Sequence, residues 1–312
     1  MSQSNITSFR VLVRQSLTND NAHPSRYAVR TTRVLYVDRR MVTIDKAPGM
    51  DAQVGVSHLV EGGNDPDFPH DHSQSSLQNP SITSLFPVHR LDKATTGCLI
   101  FARTRDMARE LSRQFHQRRI EKTYYAVVRG GHRSFEGSKG TINCPIEVSR
   151  EGYANLRHSK DEIESETSAI TEWEVVGSSS TLPISLLKLR MLTGRKHQLR
   201  VHLSKSLHAP ILGDSRHSVS RPTDDILNLL RSWGVSDDRL FLHSSSLNII
   251  RYTKSRNRLR LGIQAPFPED FSRLLRHLRI PFDPELSQAR LFLDGQPFSS
   301  SSIEELDGHL FP

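Results

Sequence analysis

The chain has very little cysteine. Its 312 residues include only Cys98 and Cys144, which are too few and too far apart in sequence for a metal knuckle or a disulfide framework. Cys98 lies in the apolar run 98–102, where a thiol is expected to pack as a small buried side chain. The sequence therefore predicts neither a disulfide scaffold nor a cysteine-based zinc protein, and a reducing compartment fits its composition.

Long apolar runs and nucleotide-binding strings are also absent. No run of eighteen apolar residues occurs, so no membrane span is expected. Neither a GxGxxG string nor a P-loop occurs, so nucleotide-cofactor chemistry has no support. Hydrophobic residues make up 36% of the chain and aromatic residues 7%, which is low for a fully compact protein and predicts some loop or tail.

Lysine and arginine are missing from residues 51–87, a segment with five acids and several Gly, Pro and Ser residues. This composition predicts a long surface loop or insertion. His70, Asp71 and His72 offer potential metal ligands, but nothing nearby completes a typical structural site. A solvated loop is therefore the preferred interpretation, and no metal is predicted.

Positive charge, in contrast, is in excess over the whole chain. The formal net charge is +8 and the isoelectric point is about 9.7. Such a balance favours a polyanionic partner, most simply nucleic acid. A basic enzyme without such a partner is the alternative on charge alone.

The N-terminal 37 residues hold five arginines, no lysine and the single acid Asp20. Five apolar residues could line one side of a short helix there: Phe9, Val11, Leu12, Val13 and Leu17. This composition resembles a mitochondrial presequence and predicts a mitochondrial location, with the cytoplasm and the nucleus as alternatives. A disordered basic arm that touches RNA would explain the same residues.

From residue 33 onward, strand-like segments alternate with a few segments of helical periodicity. Strands are predicted at 34–37, 41–44, 97–103, 122–128, 140–148, 169–176, 184–192, 241–250 and 258–263. Helices are predicted after residue 105, at 196–204, at 224–233 and after Pro268. This order predicts an α+β fold with a mixed, mostly antiparallel sheet flanked by helices. We expect one domain over 33–282, an N-terminal arm over 1–32 and a loose tail over 283–312.

The segment 89–97, with the sequence HRLDKATTG, is the most informative part of the chain. It places Asp92 close to Arg90, before a Thr/Gly-rich turn and the apolar run that follows. A carboxylate at the turn that enters a strand can face a substrate while the sheet holds its backbone. Taken alone, this segment favours the interpretation that Asp92 caps the turn that follows it.

Four separated strings resemble the RluA-type pseudouridine synthases, in the same order. They are residues 34–49, residues 89–102, the triplet 122–124, and residues 192–202 with their continuation 210–214. A weaker fifth string is 242–244. Ala47 gives the spelling KxPG, which the family pattern allows. Two departures from that pattern occur: Thr96 replaces the usual Ser, and Ser215-Arg216 follow Asp214 where an aromatic residue often comes a little later.

The resemblance implies a pseudouridine synthase catalytic fold and assigns roles to four residues. Asp92 would be the catalytic carboxylate, acting as a nucleophile at C1′ or as a base at C2′ of the uridine. Arg200 would pair with Asp92 and keep it ionised; Arg195 is the alternative partner. Tyr124 would stack on the displaced uracil, and Arg90 would help to turn the base out of folded RNA.

Other residues are expected at the edge of the same site. His89 and Lys93 flank the motif and are predicted to contact RNA, as is Arg195 through a phosphate. Leu242 is predicted to pack beneath the base, although ordinary core packing is an equal alternative. The isomerisation needs no redox change and loses no atom of the nucleotide skeleton, so no cofactor is predicted.

The resemblance also implies the partner. RNA is expected as the substrate, with large-subunit ribosomal RNA of the mitochondrion as the first prediction and tRNA as the second; the enzyme is expected to be a monomer with no membrane partner. One rival is a catalytically silent RNA-binding or ribosome-assembly factor on the same fold. A second rival, a glycosidic-bond hydrolase, usually needs a paired acid that the motif lacks.

Overall fold

The structure is a computed structural model that describes residues 9–16, 27–52, 56–61, 81–157, 167–218, 220–300 and 302–310. Strands dominate these ranges. They are β1 (Phe9–Ser16), β2 (Tyr27–Val37), β3 (Met41–Lys46), β4 (Val56–Glu61), β5 (Ser81–Ser84), β6 (Phe86–Pro87), β7 (Thr96–Ala102), β8 (Glu121–Arg129), β9 (Lys139–Asn143), β10 (Ile146–Val148), β11 (Ala154–Leu156), β12 (Ile170–Ser178), β13 (Ile184–Met191), β14 (Leu242–Tyr252), β15 (Arg258–Gln264), β16 (Arg290–Leu293), β17 (Gln296–Phe298), β18 (Ser302–Ile303) and β19 (Gly308–Leu310).

The helices are fewer and short. They are α1 (Arg105–His116), α2 (Gln198–Val201), α3 (Asp224–Ser232) and α4 (Glu269–His277). A π-type turn, His202–Ser206, continues α2, and single 3₁₀ turns lie at His132–Ser134, Pro284–Ser287 and Glu304–Leu306. Thr104 begins α1 by accepting a hydrogen bond from the Met107 main-chain N–H, as N-cap threonines commonly do.

The sheet is mixed and mostly antiparallel, as the sequence predicts. Antiparallel pairing runs in the order β9, β12, β13, β8 and β14, and β7, β3, β2 and β19 form a second antiparallel series. The two series meet where the start of β14 pairs in parallel with β7, through His243 opposite Thr96 and Ser244 opposite Gly97. The rest of β14 pairs with β15, so the sheet forks at this strand.

Gly97 allows the two series to come this close. Its φ is +104°, and a Cβ atom there would lie 2.2 Å from the Ser244 carbonyl oxygen. Only glycine tolerates both the left-handed backbone and the contact. The segment 89–95 therefore enters the sheet at the junction of the two series, and this junction positions Asp92.

Apolar side chains fill both faces of the sheet. One face carries the core that includes Leu99, Tyr124 and Leu242, and this face holds the candidate site. Helix α1 covers another part of the sheet with Met107 and Leu111. Helices α3 and α4 pack on a third cluster, through Ile226, Leu230, Phe271 and Leu274, because their apolar residues recur at helical spacing.

Two predictions made from the sequence are wrong in this structure. The short helix that Phe9, Val11, Leu12 and Val13 could have formed is instead part of the strand β1, which pairs with both β2 and β4; Leu17 lies outside the described residues. Phe9, Val11 and Val13 recur at a period of two as well as on a helical face, and pairing partners far along the chain favour the strand. The predicted tail is also structured, because β16 pairs with β15 and β19 pairs with β2.

The predicted loop at 51–87 is only partly a loop. It contains β4 and β5, which pair with each other, and β6, which pairs with β7. Residues 53–55 and 62–80 lie outside the described ranges, and so does the His70-Asp71-His72 string. The domain boundaries at 32 and 282 stay predictions.

Candidate active site

A cavity of about 940 Å³ opens on the core face of the sheet beside the β7–β14 junction. It is lined by residues of four predicted strings: 89–92, Lys122 and Tyr124, 192–200, and Leu242. Every candidate site residue named from the sequence lines this cavity except Lys93. Segments more than a hundred residues apart in sequence thus meet where the sheet forks.

Asp92 lies in the turn that leads into β7. The Asp92 main-chain carbonyl accepts a hydrogen bond of 3.0 Å from the Thr95 main-chain N–H, which closes the turn without using the carboxylate. Its side chain stays 18% exposed and faces two basic groups. Oδ2 lies 3.6 Å from Arg200 Nη1, and Oδ1 lies 3.9 Å from His197 Nε2.

Arg200 pairs with a second carboxylate more tightly than with Asp92. Its Nε donates to Asp214 Oδ2 at 2.9 Å and its Nη2 donates to Asp214 Oδ1 at 2.8 Å. Burial opposes ionisation of Asp214, yet the hydrogen bonds and charge of Arg200 outweigh it and hold the pKa of Asp214 below its usual value. The predicted pairing of Arg200 with Asp92 exists, but it is the looser of two.

Asp214 reaches this position because of the glycine before it. Gly213 has a φ of +79°, and a Cβ atom there would lie 1.9 Å from the Arg239 carbonyl oxygen. After this turn, Asp214 Oδ1 also accepts hydrogen bonds from the main-chain N–H groups of Arg216 and His217, at 3.1 and 3.0 Å. Sequence reasoning placed Asp214 at the end of a motif but did not identify it as the partner of Arg200.

Tyr124 projects from β8 into the cavity wall. It is 4% exposed and forms a hydrogen bond with Ser244 of β14. Burial raises the pKa of Tyr124 well above its usual value, although the Ser244 hydrogen bond acts in the opposite direction. The side chain is therefore a neutral phenol at physiological pH, and it lines the cavity. Leu242 lies beside it and is buried in the same core.

His197 is a cavity residue that the sequence analysis did not single out. It precedes α2 with a left-handed backbone, φ 53°. Its Nδ1 lies 2.7 Å from Nε2 of His217, and the two rings meet edge to face at 5.0 Å. The only available signal was its place between two arginines of the motif string 192–202.

The ring of His89 lines the cavity and is also held by contacts within the protein. Its Nε2 accepts a hydrogen bond of 3.0 Å from the Ile100 main-chain N–H, and the ring stacks on Phe115 with centroids 4.6 Å apart. Burial lowers the pKa of His89 to about 3, so the ring is neutral. A role in binding RNA stays a prediction for this residue.

Lys93 contributes its main chain to the site. Its side chain is exposed and does not line the cavity, whereas its carbonyl accepts hydrogen bonds from Lys46 Nζ at 2.8 Å and from the Gly49 N–H at 2.9 Å. Lys46 is fully buried, and burial lowers its pKa to about 7. Lys46 and Gly49 of the KxPG string thus hold the turn that carries Asp92, through their hydrogen bonds to the Lys93 carbonyl.

The cavity rim is strongly basic. Lining cations are Arg90, Arg118, Lys122, Arg195, Lys196 and Arg200. Arg90 is exposed, which the contact with RNA predicted for it requires. Arg195 donates from Nε to the Ser168 carbonyl at 3.0 Å, which holds it at the rim. An anionic nucleic acid fits this distribution of charge.

The described residues contain no group of three or more His, Cys, Asp or Glu side chains that could hold a metal ion. No helix within the same ranges is long and apolar enough to cross a membrane.

Comparison with known proteins identifies the family. The sequence profile of the RNA pseudouridylate synthase family matches residues 40–205. A tRNA pseudouridine synthase C of Haemophilus influenzae is 33% identical over 228 residues, which cover 70% of this chain and 86% of that protein. The mitochondrial pseudouridylate synthase RPUSD4 of Xenopus tropicalis is 31% identical over 219 residues, or 62% of this chain and 65% of that protein.

A solved structure agrees with this result. The human RNA pseudouridylate synthase domain containing 4 protein superimposes with a TM-score of 0.55 and 27% identity, over 80% of this chain and 94% of that one. The profile spans more than half of the chain, and the Haemophilus protein aligns over most of both sequences. The protein belongs to the RNA pseudouridylate synthase family and is an isomerase that forms pseudouridine from uridine in RNA.

Proposed function

We propose that Asp92 is the catalytic carboxylate and that the cavity receives a uridine turned out of structured RNA. One observation carries this proposal. Asp92 is the only carboxylate among the described residues that line the cavity, and six arginine and lysine residues line the same cavity. A site with one reactive acid and many cations suits a reaction on a polyanion that needs a single carboxylate.

The reaction makes limited demands on the protein. The bond between N1 of uracil and C1′ of ribose breaks, the base turns, a bond forms between C5 and C1′, the C5 proton leaves, and N1 takes up a proton. One carboxylate can serve either as the nucleophile at C1′ or as the base at C2′, and both roles are open for Asp92. A hydrolase of the same bond usually needs a paired acid, and the cavity lining that the structure describes offers none.

Neighbouring residues support the same chemistry. Arg200 places its positive charge beside Asp92, because its guanidinium lies 3.6 Å away and is held there by Asp214. Tyr124 offers a ring face for stacking against uracil. Arg90, exposed at the rim, would enter the space that the base leaves, at a cost of unstacking of about a few kcal/mol.

The RNA class is part of the proposal. Large-subunit ribosomal RNA, the first prediction from the sequence, rests on family analogy. Relatives named tRNA pseudouridine synthase C support tRNA, so both classes belong in the test. A mitochondrial location is supported by the arginine-rich start and by the Xenopus relative named as mitochondrial. Residues Phe9–Ser16 form a strand, so a helix in this segment does not support the mitochondrial location.

Tritium release from RNA that carries C5-labelled uridine tests the role of Asp92 directly. We expect Asp92→Asn to abolish release, because no other lining carboxylate can replace it. The matched control is Asp106→Asn, which changes an acid with an 81% exposed side chain on α1 and should leave release unchanged. Equal release by Asp92→Asn and the unmodified protein would refute the assignment.

Mapping of pseudouridine in transcribed ribosomal RNA and tRNA, after treatment with the protein, tests the RNA class. Modification of one class alone selects it. Absence of pseudouridine from both classes would contradict the proposed choice of RNA.

A further inference from the structure

Two histidines form a pair directly behind the proposed catalytic carboxylate. His197 Nδ1 lies 2.7 Å from His217 Nε2, and His197 Nε2 lies 3.9 Å from Asp92 Oδ1. The three groups therefore form a line that runs from the interior to the cavity. His217 is 7% exposed and does not line the cavity, so it can act on a substrate only through His197.

The surrounding structure fixes His217. Its main-chain N–H donates to Asp214 Oδ1 at 3.0 Å, and its carbonyl accepts a hydrogen bond from the Ser204 hydroxyl. Asp214 is itself bound to Arg200 through two hydrogen bonds. The same short turn, 214–217, therefore supports both basic groups that face Asp92.

The contact between the rings allows two neutral tautomers of His197. In one, His217 Nε2–H donates to His197 Nδ1, and His197 carries its own proton on Nε2, the atom nearest to Asp92. In the other, His197 Nδ1–H donates, and an unprotonated Nε2 is nearest to the carboxylate. The first arrangement places a positive dipole end beside the negative charge, and the second places a lone pair there, so electrostatics favour the first.

Burial, together with the neighbouring cations, lowers the pKa of both rings. Burial lowers the pKa of His197; Asp92 opposes that effect, and the cations Arg200, Arg216 and Lys196 add to it. Burial likewise lowers the pKa of His217 to about 4, with Asp214 acting against it and Arg200, His197 and Arg216 with it. Protonation of His197 at Nδ1 would also oppose two N–H groups across the 2.7 Å contact.

We propose that His217 is a positioning residue whose Nε2–H holds His197 in the tautomer that directs its own Nε2–H toward Asp92. The carboxylate is then oriented by a neutral donor and by Arg200, without a proton transfer that would quench its charge. This inference rests on the proposed role of Asp92 and extends it to a residue outside the cavity.

Two substitutions at one position separate positioning from packing. His217→Phe keeps a ring but removes the donor, whereas His217→Gln supplies an amide N–H of similar reach that does not titrate. The readouts are kcat, KM and the pH dependence of kcat in the tritium-release assay, with the melting temperature as a check on folding. His132→Gln, at an exposed histidine outside the cavity lining, is the control and should match the unmodified protein.

We expect His217→Phe to lower kcat about tenfold with little change in KM, because one buried hydrogen bond corresponds to roughly that factor. Its acidic limb should move to higher pH by about one unit, since His197 would protonate more easily without the opposing donor. His217→Gln should recover most of kcat and keep the acidic limb of the unmodified protein.

Two results would overturn the inference. One is unchanged kcat and pH dependence in His217→Phe; the other is an equal loss in both variants with an unshifted acidic limb, which would mean packing alone. If His217→Phe does not fold, ¹⁵N NMR of the His197 side chain decides, because a proton on Nδ1 at neutral pH contradicts the proposal. That measurement needs no turnover, so it separates this inference from the proposed function, which fails if the unmodified protein releases no tritium.

Discussion

Arg200 lies between two carboxylates, Asp214 and Asp92, that differ in burial and in hydrogen bonding. On the interior side, Asp214 has a fully buried side chain and accepts two hydrogen bonds from the guanidinium. On the cavity side, Asp92 keeps 18% of its side chain exposed and stands 3.6 Å from the same group. The same residue type, paired with the same arginine, is a structural anchor in one place and a candidate reactive group in the other.

The difference shows how Arg200 can place positive charge beside Asp92 without binding both oxygens of that carboxylate. A bidentate pair occupies both oxygens of an acid and lowers its capacity to attack or to accept a proton. Because Asp214 takes that geometry, Arg200 is held in place and its charge still reaches Asp92. Asp92 then lines the cavity without a bidentate partner for its two oxygens.

The largest expected effect comes from removing the charge of Asp214, the buried partner of Arg200. Asp214→Asn leaves the Arg200 guanidinium buried beside a neutral amide, so we expect a loss of about 3–5 kcal/mol in the free energy of unfolding. Asp92→Asn, at a looser and partly exposed pair, should change it by less than about 1 kcal/mol. Urea unfolding measures both, with Asp106→Asn as the exposed control. A larger loss for Asp92→Asn than for Asp214→Asn would contradict the role of Asp214 as the structural partner of Arg200.

A smaller effect, on activity alone, is expected at the rim. Arg90→Ala should lower kcat/KM about tenfold, because the target base must then leave its stack without a side chain to fill the gap. It should also reduce the dependence of RNA affinity on salt if the guanidinium contacts a phosphate. Arg133→Ala, an exposed arginine of the turn His132–Ser134, is the control. Unchanged kcat/KM in Arg90→Ala would remove the flipping role.

The smallest effect concerns the pH dependence of folding. The pKa of His89 is about 3 in the folded protein and about 6.5 when unfolded. The unfolded chain therefore binds more protons between these values, and the stability that neutral His89 contributes is lost as pH falls through this window. Since Gln can still accept the Ile100 N–H, His89→Gln should lose less stability than the unmodified protein between pH 7.5 and pH 5. Equal losses in urea unfolding would contradict this account.

Much of the site could be predicted from the chain, because the motif strings carry local information. The Thr/Gly turn after Asp92 and the apolar run behind it predict a carboxylate at the entry to a strand, and the structure has this arrangement in β7. The string 192–202 likewise predicts a turn and a helix that present arginines. Each of these features depends on neighbours within a few residues.

The features that were predicted wrongly or missed depend on residues far apart in the sequence. β1 was predicted as a helix because its partners β2 and β4 lie elsewhere in the chain. Lys93 was grouped with the site because it adjoins Asp92, yet its side chain lies outside the cavity lining. The pair of His197 and His217 spans 20 positions, and no spacing rule joins two such residues.

The sequence by itself determined the family, the mixed sheet and the residue types of the site, since these follow from local patterns and from motif strings in a given order. Only the tertiary structure decided which carboxylate takes the two hydrogen bonds of Arg200 and which faces the cavity. That choice depends on the approach of β7 to β14 at Gly97 and on the turn at Gly213, where a Cβ atom would meet backbone 2.2 and 1.9 Å away. Burial and distance, rather than residue type, separate the two acids.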